Sequence, residues 1–301
     1  MDNRIPLNPG STIKISNETY KIVNLISRGG TSLIYEAERS YCGADACTGS
    51  SINKKVLLKE LAPLTINFAR NSAGVISFYN SKAEELRRLF ENEINNLALI
   101  QSKNYSINRI PDMDAYGEYN NTTYIAMNYI KGSVLSDYLK ERSLRINEIS
   151  SIFLQIIEIV IFLHSTNQAY CHLDLKPSNF IIDQTGVVFL FDFGSSLIEE
   201  EKWVKNYTED YSAPEVIYNM MDYVDQRADI YSLGAILYEL VTGERPSMDK
   251  FLLCEDHYYQ YEPESDYDFN FLLSKMLTEN VKARFNSVSE IKQSLDQLLL
   301  S

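Results

Sequence analysis

Apolar residues in the first third of the chain fall in short runs, and near residue 81 their spacing changes. Ile13 to Ile15 and Tyr20 to Ile26 read as strands separated by the turn-prone pair Asn17-Glu18, and Leu33 to Glu38 and Lys55 to Leu61 continue the pattern. From Ser81 to Ile100 the positions Leu86, Leu89, Phe90, Ile94, Leu97 and Ile100 recur at spacings of three and four, which predicts a helix with one apolar face. Two more strands are predicted at Ala115 to Tyr119 and Thr123 to Ile130, with Asn120-Asn121 as their turn. Beyond Gly132 the helical period dominates. Ile146 to Ser165 reads as a long core helix, Ala228 to Val241 is apolar nearly all round, and Val288 to Leu299 closes the chain as an amphipathic helix. A strand-rich lobe over 12–131 followed by a helical lobe over 132–299, hinged near Asn128 to Gly132, is an α+β bilobal layout.

Composition fits a folded chain: 45% of the 301 residues are hydrophobic and 23% are charged. The balance is acidic, with 28 Lys+Arg against 41 Asp+Glu and a formal net charge of -13. That argues against a nucleic-acid partner, which calls for a basic face. It is first of all the charge of a solvated surface, and secondarily suits basic protein substrates. The opening residues MDNRIPLNPG lack a cationic stretch followed by an apolar core. No uninterrupted apolar run reaches the roughly 18 residues of a spanning helix, so the expectation is a cytoplasmic chain without a membrane segment. Cys42, Cys47, Cys171 and Cys254 are too scattered for a disulfide framework. Cys42 and Cys47 form at most half a metal site, and no second Cys/His pair lies near them.

Chemistry concentrates in two places. After the long helix comes His172-Leu173-Asp174-Leu175-Lys176-Pro177-Ser178-Asn179, followed by the apolar pair Ile181-Ile182. An Asp, a Lys two residues on and an Asn five residues on can hold a carboxylate at an attacking hydroxyl and an amide oxygen at a metal. About a dozen residues later an apolar stretch ends in Asp192-Phe193-Gly194. In this order and spacing the two elements resemble those of the protein kinase superfamily.

The resemblance implies a role for each position. Asp174 would accept or orient the substrate hydroxyl proton, Lys176 would neutralise the γ-phosphate, and Asn179 and Asp192 would hold the metals on ATP, Mg²⁺ or alternatively Mn²⁺. Lys176 fits the serine/threonine pattern, so the acceptor would be a Ser or Thr of a protein. Ile26 to Tyr35, with Ser27, Arg28, Gly29, Gly30, Ser32 and Ile34, looks like the glycine-rich loop over the phosphates. Leu57 and Lys59 look like the third strand, with Lys59 on the α- and β-phosphates, and Met127, Asn128, Tyr129 and Ile130 like the hinge around adenine, whose floor would include Ile181. Glu93 would pair with Lys59. Glu91 is the rival, and Glu93 is preferred because Leu97, one turn later, faces the same way. Ala213-Pro214-Glu215 would end the activation segment, Arg284 would pair with Glu215, and Asp229 in the buried helix would bond the backbone near His172. The covered stretch, about 12 to 299, looks more like bacterial kinases than animal ones.

Four departures stand out. Leu173 replaces the usual Arg before the … catalytic-loop Asp, so activity should not depend on activation-segment phosphorylation, and a phosphomimetic change at Thr208 should leave the rate nearly unchanged. Ser27 takes the first glycine position, Leu57 takes the place of an Ala against adenine, and Ser102 to Tyr105 replace a His-Pro-Asn turn. The connections Arg39 to Lys55 and Leu61 to Ser81 are long, which suits either a docking role or a plain surface insertion. Two alternatives accompany the active enzyme. One is a nucleotide-binding pseudokinase. The other is a small-molecule phosphotransferase of kinase-like fold, against which Ala213-Pro214-Glu215 and Asp229 argue.

Overall fold

The computed structural model describes residues 2–40, 53–65, 68–78, 83–103, 108–167, 170–196, 207–247 and 269–300. Cys42, Cys47, Cys254, most of the 39–55 connection and Asn104-Tyr105 lie outside the described residues. Two compact units emerge. The first is Met1–Gln101 with Pro111–Ile130, and the second is Ser102–Ile110 with Lys131–Ser301. The detour at 102–110 was not legible in the sequence. It arises because Leu190 donates its N–H to the Arg109 carbonyl at 3.0 Å and Arg109 pairs with Glu158 at 2.9 Å.

The first unit holds β1 (Thr12–Ile15), β2 (Glu18–Arg28), β3 (Ser32–Ser40), β4 (Asn53–Leu61), the short β5 (Phe68–Arg70) and β6 (Ile76–Phe78), helix α1 (Ala83–Ser102), β7 (Met113–Tyr119) and β8 (Thr122–Asn128). Six strands form one antiparallel sheet in the order β1-β2-β3-β4-β8-β7. The predicted Asn120-Asn121 turn is there, with φ of 53° and 60°, the left-handed pair that matches strand twist in a tight hairpin. β8 stops at Asn128, two residues short of the predicted end, where Asn128 bonds to Asp112 through its backbone N–H at 3.0 Å and its side chain at 3.1 Å.

Alternation sorts the sheet into two faces. Tyr35, Leu58, Tyr124 and Ala126 join the buried cluster with Ile13, Tyr20 and Ile22, while Ile34, Leu57, Lys59 and Met127 share the opposite face. The long connection after Leu61 folds onto the first face. Ile76 is fully buried in the core and Phe68 packs against it. Arg70 grips Glu60 at 2.6 and 3.0 Å, and the Tyr35 and Tyr124 hydroxyls donate to the same carboxylate. A buried carboxylate needs such partners, so this insertion completes its own unit.

The second unit contains the three-stranded sheet β11-β10-β9 (Val188–Leu190, Phe180–Asp183, Gly132–Val134) and helices α2 (Leu135–Lys140), α3 (Ile146–Thr166), α4 (Pro214–Ile217), α5 (Arg227–Thr242), α6 (Asn270–Met276) and α7 (Val288–Leu300). α5 is buried along most of its length, as its all-round apolar pattern predicts. A Cβ on its Gly234 would lie 2.9 Å from Met276 Cβ, so glycine is what lets α5 approach α6 this closely. Gly243, at φ 69°, ends α5 in a left-handed cap. Against the expectation from apolar run length, α3 is long and apolar enough to cross a membrane. However, its buried residues Ile149, Phe153, Ile156 and Val160 fill the unit's interior, the pattern of a core helix.

Candidate active site

Each unit carries one cluster. In the first, Lys59 on β4 reaches Glu93 on α1, with Nζ 2.7 and 2.6 Å from the two carboxylate oxygens. Lys59 is 4% and Glu93 2% exposed, whereas Glu91 faces solvent. The ammonium also lies 5.7 Å from the centre of the Phe90 ring. Helical spacing explains the choice of glutamate, since Glu93 shares its side of α1 with buried Phe90 and Leu97. Lys59 stands in register with Ile34 and Leu57 with Met127, so these four side chains line one face. Asn128, Tyr129 and Ile130 follow as half-buried residues at the end of this unit. The turn between β2 and β3 holds Gly29 and Gly30, flanked by exposed Ser27 and Arg28 and by buried Ser32. Neither glycine has a positive φ, and a Cβ on Gly30 would meet nothing within 4 Å.

The second cluster hangs from Asp229 on α5. Its carboxylate accepts the N–H groups of His172 and Leu173, each at 2.8 Å, and faces His164 Nε2 at 2.9 Å. Those bonds hold the loop where Leu173 adopts a left-handed φ of 64°, a conformation that costs a non-glycine residue about 1 kcal/mol or more. Leu173 is 2% exposed and apolar, so it offers no cation to a phosphate. Asp174 follows. Lys176 Nζ lies 2.7 Å from Asp174 Oδ2, and Asn179 donates its amide to the Asp174 carbonyl at 2.7 Å.

Thr208 completes this cluster, a role the sequence did not reveal. Its hydroxyl donates to Asp174 Oδ1 at 2.7 Å and accepts from Lys176 Nζ at 2.7 Å. The expectation that Thr208 tolerates a phosphomimetic change is therefore corrected, because a carboxylate there would meet the Asp174 carboxylate. The sequence signal was available only as position: Thr208 precedes Ala213 by five residues, close enough for the anchored segment to carry it back to the loop.

Asn179 and Asp192 are the donors that a divalent cation would meet on this unit. With its amide hydrogens turned to Asp174, Asn179 presents Oδ1 the other way. Phe191 donates its N–H to the Asn179 carbonyl at 2.8 Å, which brings Asp192 next to that residue. An amide oxygen and a carboxylate suit a hard cation that keeps waters and phosphates as its other ligands. The residues fit. Ile181, half-buried on β10, pairs with Val134 and Phe189.

Burial pushes the His172 imidazole below its ordinary 6.5, opposed by the charges of Asp229, Asp174 and Asp192. For Asp229, burial pushes upward, but the His164 hydrogen bond and charge, the His172 charge and the backbone bond from His172 outweigh it and leave the carboxyl low. Both folded values are depressed, so both contributions to stability are present above the unfolded values and lost as pH falls. Unfolding free energy should decline first below about 6.5, where unfolded His172 takes a proton that the folded residue does not, by at most about 1.4 kcal/mol per pH unit. Urea titrations at pH 7.5, 6.5 and 5.5 check this, and His172→Gln should flatten the slope in that window.

The segment that carries Thr208 is anchored by Glu215 at the start of α4. Arg284 meets it at 2.6 and 2.9 Å, and Arg284 is only 2% exposed. Removing one partner strands a buried charge. Arg284→Leu is expected to cost about 3–5 kcal/mol in a denaturant titration.

Comparison with known proteins agrees with this geometry. The protein kinase domain family matches residues 75–296. A probable serine/threonine-protein kinase of Dictyostelium discoideum is 32% identical over 219 residues, covering 69% of this chain and 25% of its own length. One from Clostridium perfringens is 29% identical, covering 77% and 30%. The probable serine/threonine-protein kinase PknB of Lactococcus lactis is 25% identical over 92% of this chain and 42% of its own. The chain thus spans well under half the length of these relatives. A solved structure titled "PpkA-294 apo form" has the same fold, with a TM-score of 0.74 at 19% identity, covering 96% of this chain and 99% of that one. Lys59 and the β2–β3 turn precede the family match, yet Lys59 is held by Glu93 inside it. With a carboxylate, a lysine and an asparagine gathered on one loop and the family matched over most of its length, the chain belongs to the protein kinase domain family.

Proposed function

We propose that the chain transfers the γ-phosphate of ATP to Ser or Thr hydroxyls of a protein substrate. The observation that carries this reading is the Asp174 carboxylate, held between the Lys176 ammonium and the Thr208 hydroxyl with the Asn179 amide bonded behind it. Asp174 takes the proton of the acceptor hydroxyl while the hydroxyl oxygen forms a bond to the γ-phosphorus and the bond from that phosphorus to the β–γ bridging oxygen breaks, the oxygen leaving with ADP. Lys176 offsets charge on the transferred group, and Lys59, oriented by Glu93, does so at the α- and β-phosphates. Asn179 and Asp192 would hold Mg²⁺, with Mn²⁺ as substitute; when bound, the cation neutralises phosphate charge. Phosphoryl transfer asks the protein chiefly for such positioning and charge compensation. Leu57, Met127 and the residues Asn128 to Ile130 are the proposed adenine surface of the first unit. Buried Leu173 supports activity without an activation-segment phosphate, since it cannot pair with one.

The test mixes pure chain, Mg²⁺, γ-labelled ATP and a generic basic protein. Labelled protein is the expected result. A thermal shift with ATP but no transfer, at any acceptor concentration or with Mn²⁺, would replace the enzyme by a nucleotide-binding scaffold.

A further inference from the structure

The turn between β2 and β3 is built of small residues, and glycine there carries a large entropic cost of ordering. In this protein its carbonyls are tied down from outside the sheet. Gly30 O accepts the Leu64 N–H at 2.8 Å and Thr31 O accepts the Ala62 N–H at 3.0 Å. The next carbonyl, Ser32 O, accepts from Arg4 Nη1 at 3.3 Å, and the same nitrogen donates to Ala62 O. Arg4 thus bridges the end of the turn and Ala62, the residue that follows the strand carrying Lys59. It is 8% exposed, far below what a surface arginine near a chain end normally shows.

A second ring of contacts holds Arg4 in place. Asp2 accepts from Arg4 Nε at 3.0 Å and also from Nη2, and lies 3.3 Å from Arg28 Nη1. Arg28, the last residue of β2, returns a bond to the Arg4 carbonyl at 2.8 Å. The segment is fastened further along by Leu7, whose N–H donates to the Tyr35 hydroxyl at 3.1 Å, and by Arg70, which donates to Ile5 O at 2.8 Å. Residues 2–7 and the insertion after Leu61 therefore act together on one turn. None of them belongs to a recognisable catalytic motif.

We infer that Arg4 is a positioning residue for the nucleotide: the Asp2–Arg4 clasp holds Ser32 O and Ala62 O together and so keeps the Ala62 and Leu64 N–H groups on the carbonyls of Thr31 and Gly30, and the turn meets the phosphates already ordered. This rests on the ATP reading above. Charged donors to backbone carbonyls are the stronger class of hydrogen bond, and ordering the turn before binding removes part of the cost of binding.

The experiment compares wild type with Arg4→Ala and Arg4→Lys. In the nucleotide-free protein, amide hydrogen exchange at Ala62 and Leu64, whose N–H groups donate to the turn, should speed up about tenfold in Arg4→Ala while β7 and β8 stay protected. The dissociation constant for Mg²⁺·ATP should rise about five- to tenfold, with kcat and the KM for the acceptor protein nearly unchanged. Arg4→Lys, which can still reach one carbonyl, should recover part of both effects. If Arg4→Ala does not fold, Asp2→Asn at the more exposed end of the clasp is measured in the same way with the same expected direction. Unchanged exchange and unchanged ATP affinity in a folded variant would overturn the inference. Failure of wild type to bind ATP would instead sink the nucleotide reading, and the exchange data would still judge the clasp.

Discussion

Replacing Asp174 by Ala is expected to lower the rate of phosphoryl transfer by about 10²–10⁴-fold, while the affinity for ATP changes by less than about threefold. The asymmetry follows from where the residue sits. Asp174 is held by Lys176 and Thr208 at the loop of the second unit, whereas the Lys59–Glu93 pair proposed for the α- and β-phosphates is built within the first. Its loss removes the proton acceptor and frees Lys176 from its partner. It leaves the Asp229 bonds to His172 and Leu173 intact, so the loop should keep its shape. Asp174→Asn, equal in size, should be almost as slow as Asp174→Ala if basicity matters, and close to wild type if the residue only fills space. Single-turnover rates with saturating ATP separate the two.

Thr208→Glu is expected to reduce transfer by about 10²-fold or more, and Thr208→Ser to leave it within about threefold of wild type. The threonine hydroxyl both donates to Asp174 and accepts from Lys176, each at 2.7 Å. A glutamate can accept from Lys176 but cannot donate to Asp174. Two carboxylates would then share one ammonium, and like charge at this distance raises the pKa of one of them and so blunts the base at neutral pH. Serine keeps the donor and the acceptor. Thr208→Val tests the hydrogen bond without the charge, and its rate should fall between the two. Kinetics at pH 7 and pH 8.5 add a signature: the Glu variant should recover part of its activity as pH rises and the shared proton leaves.

The contrast between these two residues shows what can be read before folding. Asp174, Lys176 and Asn179 lie within six positions, so local spacing alone brought them together. The Lys59–Glu93 pair spans 34 residues, yet it was legible because the helical period placed Glu93 beside Leu97 and left Glu91 outward. Thr208 stands 34 residues from Asp174, in a segment with no periodic pattern. The Glu215–Arg284 anchor and the turn in which the Tyr211 N–H donates to the Thr208 carbonyl at 2.9 Å help bring it back, and no local rule encodes that path. The first unit repeats the lesson. Its six-stranded sheet follows from the strand pattern, but β5 and β6 are three residues each, too short for alternation to register. Arg70 and Glu60 are ordinary charged residues until the fold buries them together, and Arg4 near the start of the chain gives no sign that it will reach Ala62.

One measurement addresses the central claim most directly. Wild-type chain is incubated with γ-labelled ATP, Mg²⁺ and a basic acceptor protein, and the labelled acceptor is hydrolysed in acid to identify its phosphorylated amino acids. The account predicts phosphoserine and phosphothreonine, both formed at least about 10²-fold more slowly when Asp174 becomes Ala. Label found only as free phosphate, or label that forms at an undiminished rate in Asp174→Ala, would contradict it.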